Sequence, residues 1–235
     1  MRYKMKPISV SVIVPAYNEE AIIKNALEAA YTILQTAGTD FEVIVVNDGS
    51  TDQTGAIIND YFKDKPQGIV CHKAVNQGFG GAIRTGIEMA SKELIFCVPA
   101  DSPLTTDLWD IFSRHAYDAD VMVSYRKEKV GYSLMRHINS YVFHFLISAL
   151  FNMRLRDYNW IHMYNRKIFD EGKIKIEYDG IFMLSEILIK ARNAGFTFVE
   201  FEVEQTERLT GIATASKFSA VVRTLGEILH YRFIG

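Results

Sequence analysis

Apolar and polar positions along this chain fall into two alternating textures. "ISVSVIVPAY", residues 8–17, is a short β-branched run stopped by Pro15, the pattern of a buried strand. "NEEAIIKNALEAAYTILQTAG", 18–38, places apolar residues at helical spacing, with acids in its first turn and Gly38 at its end. "FEVIVVNDGS" (41–50) predicts a second strand, and "TDQTGAIINDYFKD" (51–64) a shorter helix capped by Thr51 or Asp52. "GIVCHKA" (68–74) is a weaker strand, "GGAIRTGIEMA" (80–90) opens another helix, and "ELIFCVPAD" (93–101) is the next strand. Strand and helix alternate in this way to about residue 125. That order builds an α/β fold with a mostly parallel, twisted sheet and helices on both faces.

Past residue 126 the texture changes. "GYSLMRHINSYVFHFLISALFNMRLR" (131–156) is amphipathic, aromatic-rich and helical, with basic residues at both ends. "DGIFMLSEILIKARNAG" (179–195) predicts a helix, and "FTFVEFEVEQTER" (196–208) alternates like a strand at a sheet edge. "SKFSAVVRTLGEILHYRFIG" (216–235) closes as a helix. No internal repeat or low-complexity linker interrupts the chain, so residues 1–235 are expected to form one domain.

Composition changes this picture only by exclusion. With 49% hydrophobic and 23% charged residues in 235, the chain can bury a real core. A formal net charge of -2 argues against a nucleic-acid partner. Cys71 and Cys97 are too few for a disulfide framework and fit two buried thiols in a reducing compartment. The histidines follow no ligand spacing. The basic start breaks at Pro15 before it resembles a signal peptide, and no run reaches the roughly 18 to 20 apolar residues of a membrane span. A cytoplasmic chain that does not itself cross a bilayer is expected. The oligomeric state is not legible.

Candidate chemistry gathers at the strand ends. In open parallel sheets ligands bind beyond the carboxyl ends of the strands. "PAYNEE" (15–20), "NDGSTDQT" (47–54) and "PADSP" (99–103) would share that edge and form one site. Asp48 could accept hydrogen bonds from a base or ribose, or serve as an Asx-turn or helix cap. "NQGFGGAIRTG" (76–86) resembles a phosphate-cradling loop around Gly80. Ile83 occupies the last position of G-x-G-x-x-G, so the dinucleotide fingerprint of a dehydrogenase fails. A turn into a closely packed helix explains the same glycines. Asp101, boxed between Pro99 and Pro103, could hold a divalent cation bridging two phosphates or simply end the strand.

Taken together, "VSVIVPAYNEEAII", "FEVIVVNDGSTDQT", "NQGFGGAIRTGIEMA" and "IFCVPAD" resemble the family 2 glycosyltransferases in order and spacing over residues 8–126. The resemblance implies the GT-A, nucleotide-diphospho-sugar fold and a hexosyltransferase. Within the family the chain looks most like the polyprenyl-phosphate branch, the dolichol-phosphate mannosyltransferase type. "VSYRKEKVGYSLMRHINSYV" is similar to the acceptor segment of that branch, and "ERLTGIATASKF" to its arginine, glycine and serine-lysine segment.

By that resemblance residues 1–126 bind the nucleotide-sugar, with Pro15, Tyr17, Glu19, Asp48, Gly80 and Asp101 in contact. Asp101 matches the second acid of the D-x-D motif and would hold Mg²⁺ or Mn²⁺. Pro99 replaces the first acid, and Pro103 stands where the branch often has glutamine. Residues 127–235 would bind a lipid-phosphate acceptor. Arg126, Arg136, Ser140, Arg208 and Lys217 would grip its phosphate, and Asp101, Arg126 and Arg136 would be catalytic. Trp160 and Met163 depart from the glycine and arginine that usually follow the aspartate matching Asp157.

"YVFHFLISALF" (141–151), between Arg136 and Arg154, could lie in a membrane interface or pack as a core or dimer helix. Peripheral contact through 136–154, at the inner face of the membrane, would suit an enzyme of the cell envelope. Three readings follow: a metal-assisted transferase, a metal-independent one, and a catalytically silent nucleotide-sugar binder serving as a partner subunit.

Overall fold

The computed structural model describes residues 7–127, 134–170, 174–204 and 218–234. Arg208 and Lys217 lie outside the described residues. The alternation of the first half is present as β1 (Ser9–Ala16), α1 (Ile23–Thr36), β2 (Asp40–Asn47), α2 (Thr54–Phe62), β3 (Gly68–His72), α3 (Gly78–Met89) and β4 (Leu94–Cys97). There follow α4 (Thr106–Arg114), β5 (Val121–Arg126), α5 (Leu134–Phe151), β6 (His162–Asn165), α6 (Phe182–Asn193), β7 (Phe198–Val203) and α7 (Phe218–Phe233).

Two boundaries depart from the sequence reading for local reasons. Residues 18–22 form a turn before α1: Asn18 has φ 54°, and the Ile22 and Ile23 amides both bond Glu19 O at 3.0 and 2.9 Å. Glu19 and Glu20 therefore belong to a loop, not to the helix. β4 stops early because Pro99 has no N–H to offer. The ladder's last bond there runs from Val98 N–H to Ile13 O at 2.9 Å.

The seven strands form one sheet in the order β3-β2-β1-β4-β6-β5-β7. β6 is antiparallel to both neighbours, and the remaining pairings are parallel. β6, from the second half of the chain, lies between β4 and β5, so the division at residue 126 does not cut the sheet. Chain direction across the sheet switches beside β1, where β2 leads to one side and β4 lies on the other. Such a switch opens a crevice at the carboxyl ends.

Strand side chains alternate between the two faces. Val10, Val12 and Val14 of β1 pack in one core with Leu27 and Leu34 of α1 and Phe112 of α4. Ile13 of β1 and Ile44 of β2 join the other with Ile83 of α3, Phe182 of α6 and Ile147 of α5. Burial on both faces is why these strands read as nearly continuous apolar runs.

Candidate functional site

Parallel register brings four strand ends to one edge: Ala16 lies beside Asn47, Asn47 beside His72, and Ile13 beside Cys97. The loops that follow β1 and β2 are laced together by side chain to backbone bonds. Asn18 N–H donates to Ser50 Oγ (3.0 Å) and Glu19 N–H to Thr54 Oγ1 (2.8 Å). In return Thr51 N–H donates to Asn18 Oδ1 (2.8 Å) and Gln53 N–H to Glu20 Oε2 (2.9 Å). Asp52, anticipated as a helix cap, instead lies one residue before the N-cap Gln53, which carries no side-chain cap bond. Asp52 accepts from Thr54 N–H at 3.0 Å and Glu20 N–H at 3.2 Å and so serves the neighbouring loop. The lacing leaves Tyr17 standing out, 47% exposed, at the end of β1. Pro15 is half-buried in the strand, and Glu19 sits two residues past Tyr17.

Asp48 is 3% exposed and accepts the Gln77 and Gly78 amides at 2.9 and 2.8 Å. It therefore anchors the entry to α3, and only its remaining lone pairs are open to a ligand. Gly49 makes this approach possible. Its φ is +72°, and a Cβ there would come within 2.8 Å of Asn76 N.

Gly80, expected in contact with the nucleotide-sugar, packs against the 179 segment. Its N–H donates to Asp179 O at 2.9 Å, and a Cβ would meet the Asp179 backbone at 2.7 Å. The glycine is required by close packing of the 179 segment on α3. Asp179 is in turn held by Arg84 at 2.6 Å.

Asp101 lies half-buried four residues past β4, on the edge that carries Tyr17 and Asp48. Among the described residues no group of three or more His, Cys, Asp or Glu could enclose a metal. A single carboxylate suits Mg²⁺ or Mn²⁺ only if diphosphate oxygens and water complete the coordination. The residues fit a cation carried with its nucleotide.

Arg126, expected on an acceptor phosphate, pairs with Asp157. Its side chain is 5% exposed, and Nε and Nη2 reach Asp157 Oδ2 at 2.8 and 2.7 Å. The Trp160 ring covers the guanidinium at 4.5 Å. In this arrangement the Arg126 charge is matched by Asp157 and stacked on Trp160. His144 of α5 approaches Asp157 Oδ1 with Nε2 at 3.7 Å. Burial alone would push the Asp157 carboxyl up. The His144 contact, the Arg126 charge and the Asn159 amide outweigh it and hold the group well below the usual carboxylate range. Sequence reading noticed Asp157 and Trp160 only as positions in a motif. A sequence separation of 31 between Arg126 and Asp157 leaves no local signal of their pairing.

Arg136 and Ser140 stand one turn apart on α5, which puts them on one face. That helix buries Ile147 and Phe151. Leu134, Met135, Ile138, Tyr141, Val142 and Phe145 are all more than two-fifths exposed. Among the described residues no helix is long and apolar enough to cross a membrane.

The glycosyl transferase family 2 model matches residues 11–185. A dolichyl-phosphate beta-glucosyltransferase of Dictyostelium discoideum is 27% identical over 174 residues, 64% of this chain and 51% of that protein. Glycosyltransferase AglD of Haloferax volcanii is 28% identical over 207 residues, 84% of this chain and 33% of that one. This chain thus spans between a third and a half of these relatives. Among solved structures, the glucosyl-3-phosphoglycerate synthase of Mycobacterium tuberculosis with Mn²⁺, UDP and phosphoglyceric acid superposes with a TM-score of 0.71 at 16% identity. The match covers 96% of this chain and 78% of that one. That likeness shows the fold, which is the GT-A type. With the family model running from β1 into α6, across the laced loops and the β4 end, the chain belongs to glycosyl transferase family 2.

Proposed function

We propose that the chain moves a sugar from a nucleotide-sugar donor, held across the ends of β1, β2 and β4, to a polyprenyl phosphate presented along α5. The observation that carries this is the lacing of the 17–20 and 50–54 loops at the switch beside β1. It fixes a rigid donor platform before any ligand arrives. Tyr17 would face the base, Asp48 would accept from base or ribose with its remaining lone pairs, and Asp101 would lie at the diphosphate. A divalent cation at Asp101 would neutralise the leaving diphosphate. Relatives named dolichyl-phosphate beta-glucosyltransferase support the acceptor class.

An ionised acceptor phosphate needs little from a general base. It needs placement beside the sugar and exclusion of water. Arg136 and Ser140 would orient it, joined by Arg208 and Lys217. The Arg126–Asp157 pair would brace the floor beneath them. The exposed face of α5 would rest in the membrane interface, on the cytoplasmic side, where the lipid tail lies. Transfer of labelled sugar from a panel of UDP- and GDP-sugars to polyprenyl phosphate tests the reading directly. Product that requires Mn²⁺ or Mg²⁺ is expected, and its absence with every donor contradicts it.

A partner-subunit role is favoured by one observation: Asp101 has no second acid beside it in "PADSP", and Arg126 is already neutralised. Tight nucleotide binding without turnover would support that reading. Turnover in excess chelator would instead mark a metal-independent transferase.

A further inference from the structure

A chain of hydrogen bonds leads from β3 into the laced loops and assigns a role to a residue outside the donor contacts. Ser50 N–H donates to Asn47 Oδ1 at 3.2 Å, so the amide oxygen of Asn47 faces the turn and its NH₂ faces β3. That NH₂ lies 2.9 Å from His72 Nδ1. An amide NH₂ only donates, so Nδ1 is the acceptor and the ring proton sits on Nε2. Asn59 Oδ1 stands 2.9 Å from Nε2 to receive it. Gly55 closes the space behind: a Cβ there would lie 2.9 Å from Asn47 Nδ2. The relay continues forward, because Ser50 Oγ accepts the Asn18 N–H beside Tyr17 at 3.0 Å.

We propose that His72 is a positioning residue that, as the neutral Nε2–H tautomer, orients Asn47 and through it the donor loops. The inference rests on the donor-site reading above. A protonated ring would point an N–H at the Asn47 NH₂. Inverting that amide would only move the donor–donor clash to the Ser50 N–H. The groups facing the ring are amides, Asn47 from β2 and Asn59 from α2. The adjoining charges along these elements are Asp48, turned to Gln77 and Gly78, Asp60 on α2, and Lys73 beyond β3. Among the described residues His72 forms no ion pair.

The test measures UDP affinity with Mn²⁺ at pH 7.5 for wild type, His72→Asn and His72→Ala, beside ¹⁵N imidazole spectra of the wild type. Asparagine keeps an acceptor at the Nδ1 position. His72→Asn should match wild type, and His72→Ala should bind about five-fold more weakly than either, the worth of one hydrogen bond. A proton on Nδ1 in the spectra, or equal affinity for His72→Ala and wild type, overturns the proposal. Absence of UDP binding in every protein overturns the donor reading and the positioning role together, while the spectra still decide the tautomer.

Discussion

Asp157 shows how much one carboxylate can organise. It is 2% exposed at its side chain and holds Arg126 through two bonds, with His144 alongside. Removing its charge strands a guanidinium in the interior, a change that costs about 3–5 kcal/mol. Asp157→Asn should therefore lower the urea midpoint strongly without changing the m-value. The paired change Arg126→Met with Asp157→Leu should cost less than Asp157→Asn alone. Equal or larger loss in the double variant would show that the pair does more than neutralise itself.

His162 sets a different pH window. It is 1% exposed, and burial pushes its pKa down to about 4 from an ordinary value near 6.5. Between these values the unfolded chain binds more protons than the folded one, so stability falls as pH drops from 6.5 to 4. The full effect is on the order of 3 kcal/mol. Unfolding of wild type and His162→Gln across that window checks it. The variant should lose most of the slope.

At the scale of elements, the strands and helices of the first half were legible because both sheet faces are covered and β-branched runs alternate with helical ones. β6 was not legible. Four residues, "HMYN", carry no periodicity, and only pairing with β4 and β5 makes them a strand. Gly80 carries a signal the pattern leaves open: glycine at the start of a helix marks close approach, and the group approaching it here is the Asp179 backbone. Gly49, by contrast, belongs to the site itself. Gly49→Ala forces a side chain onto Asn76 N at 2.8 Å with φ +72°. Strain of about 1–3 kcal/mol should displace the 75–78 loop and weaken UDP binding about ten-fold or more in a titration.

The apolar stripe on α5 makes a second prediction at this scale. Ile138 is 47% exposed and Phe145 61%. Burying such side chains in an interface stabilises by about 1.5–3 kcal/mol each. Ile138→Glu with Phe145→Glu should reduce flotation with anionic vesicles more than ten-fold while the far-UV spectrum stays unchanged. Unchanged flotation would mean that α5 faces another protein or solvent.

Across the whole molecule, the order of strands places three polar clusters on one edge, and this much could be argued from the sequence. What could not be argued was which of their groups the protein itself uses. Asp48 holds the 77–78 amides, Gly80 holds Asp179, and Arg126 holds Asp157. Long-range pairing, invisible in a linear pattern, decides that question. On the donor edge the proposed nucleotide-sugar site rests on Tyr17, 47% exposed, on the remaining lone pairs of Asp48, and on Asp101 for the metal-held diphosphate. The measurement that tests this most directly is thermal unfolding with UDP-glucose, UDP-GlcNAc and GDP-mannose, each with and without Mn²⁺, for wild type and Asp101→Asn. One donor should raise the wild-type midpoint, the rise should need the metal, and Asp101→Asn should abolish it. A shift that survives in Asp101→Asn, or no shift with any donor, would contradict it.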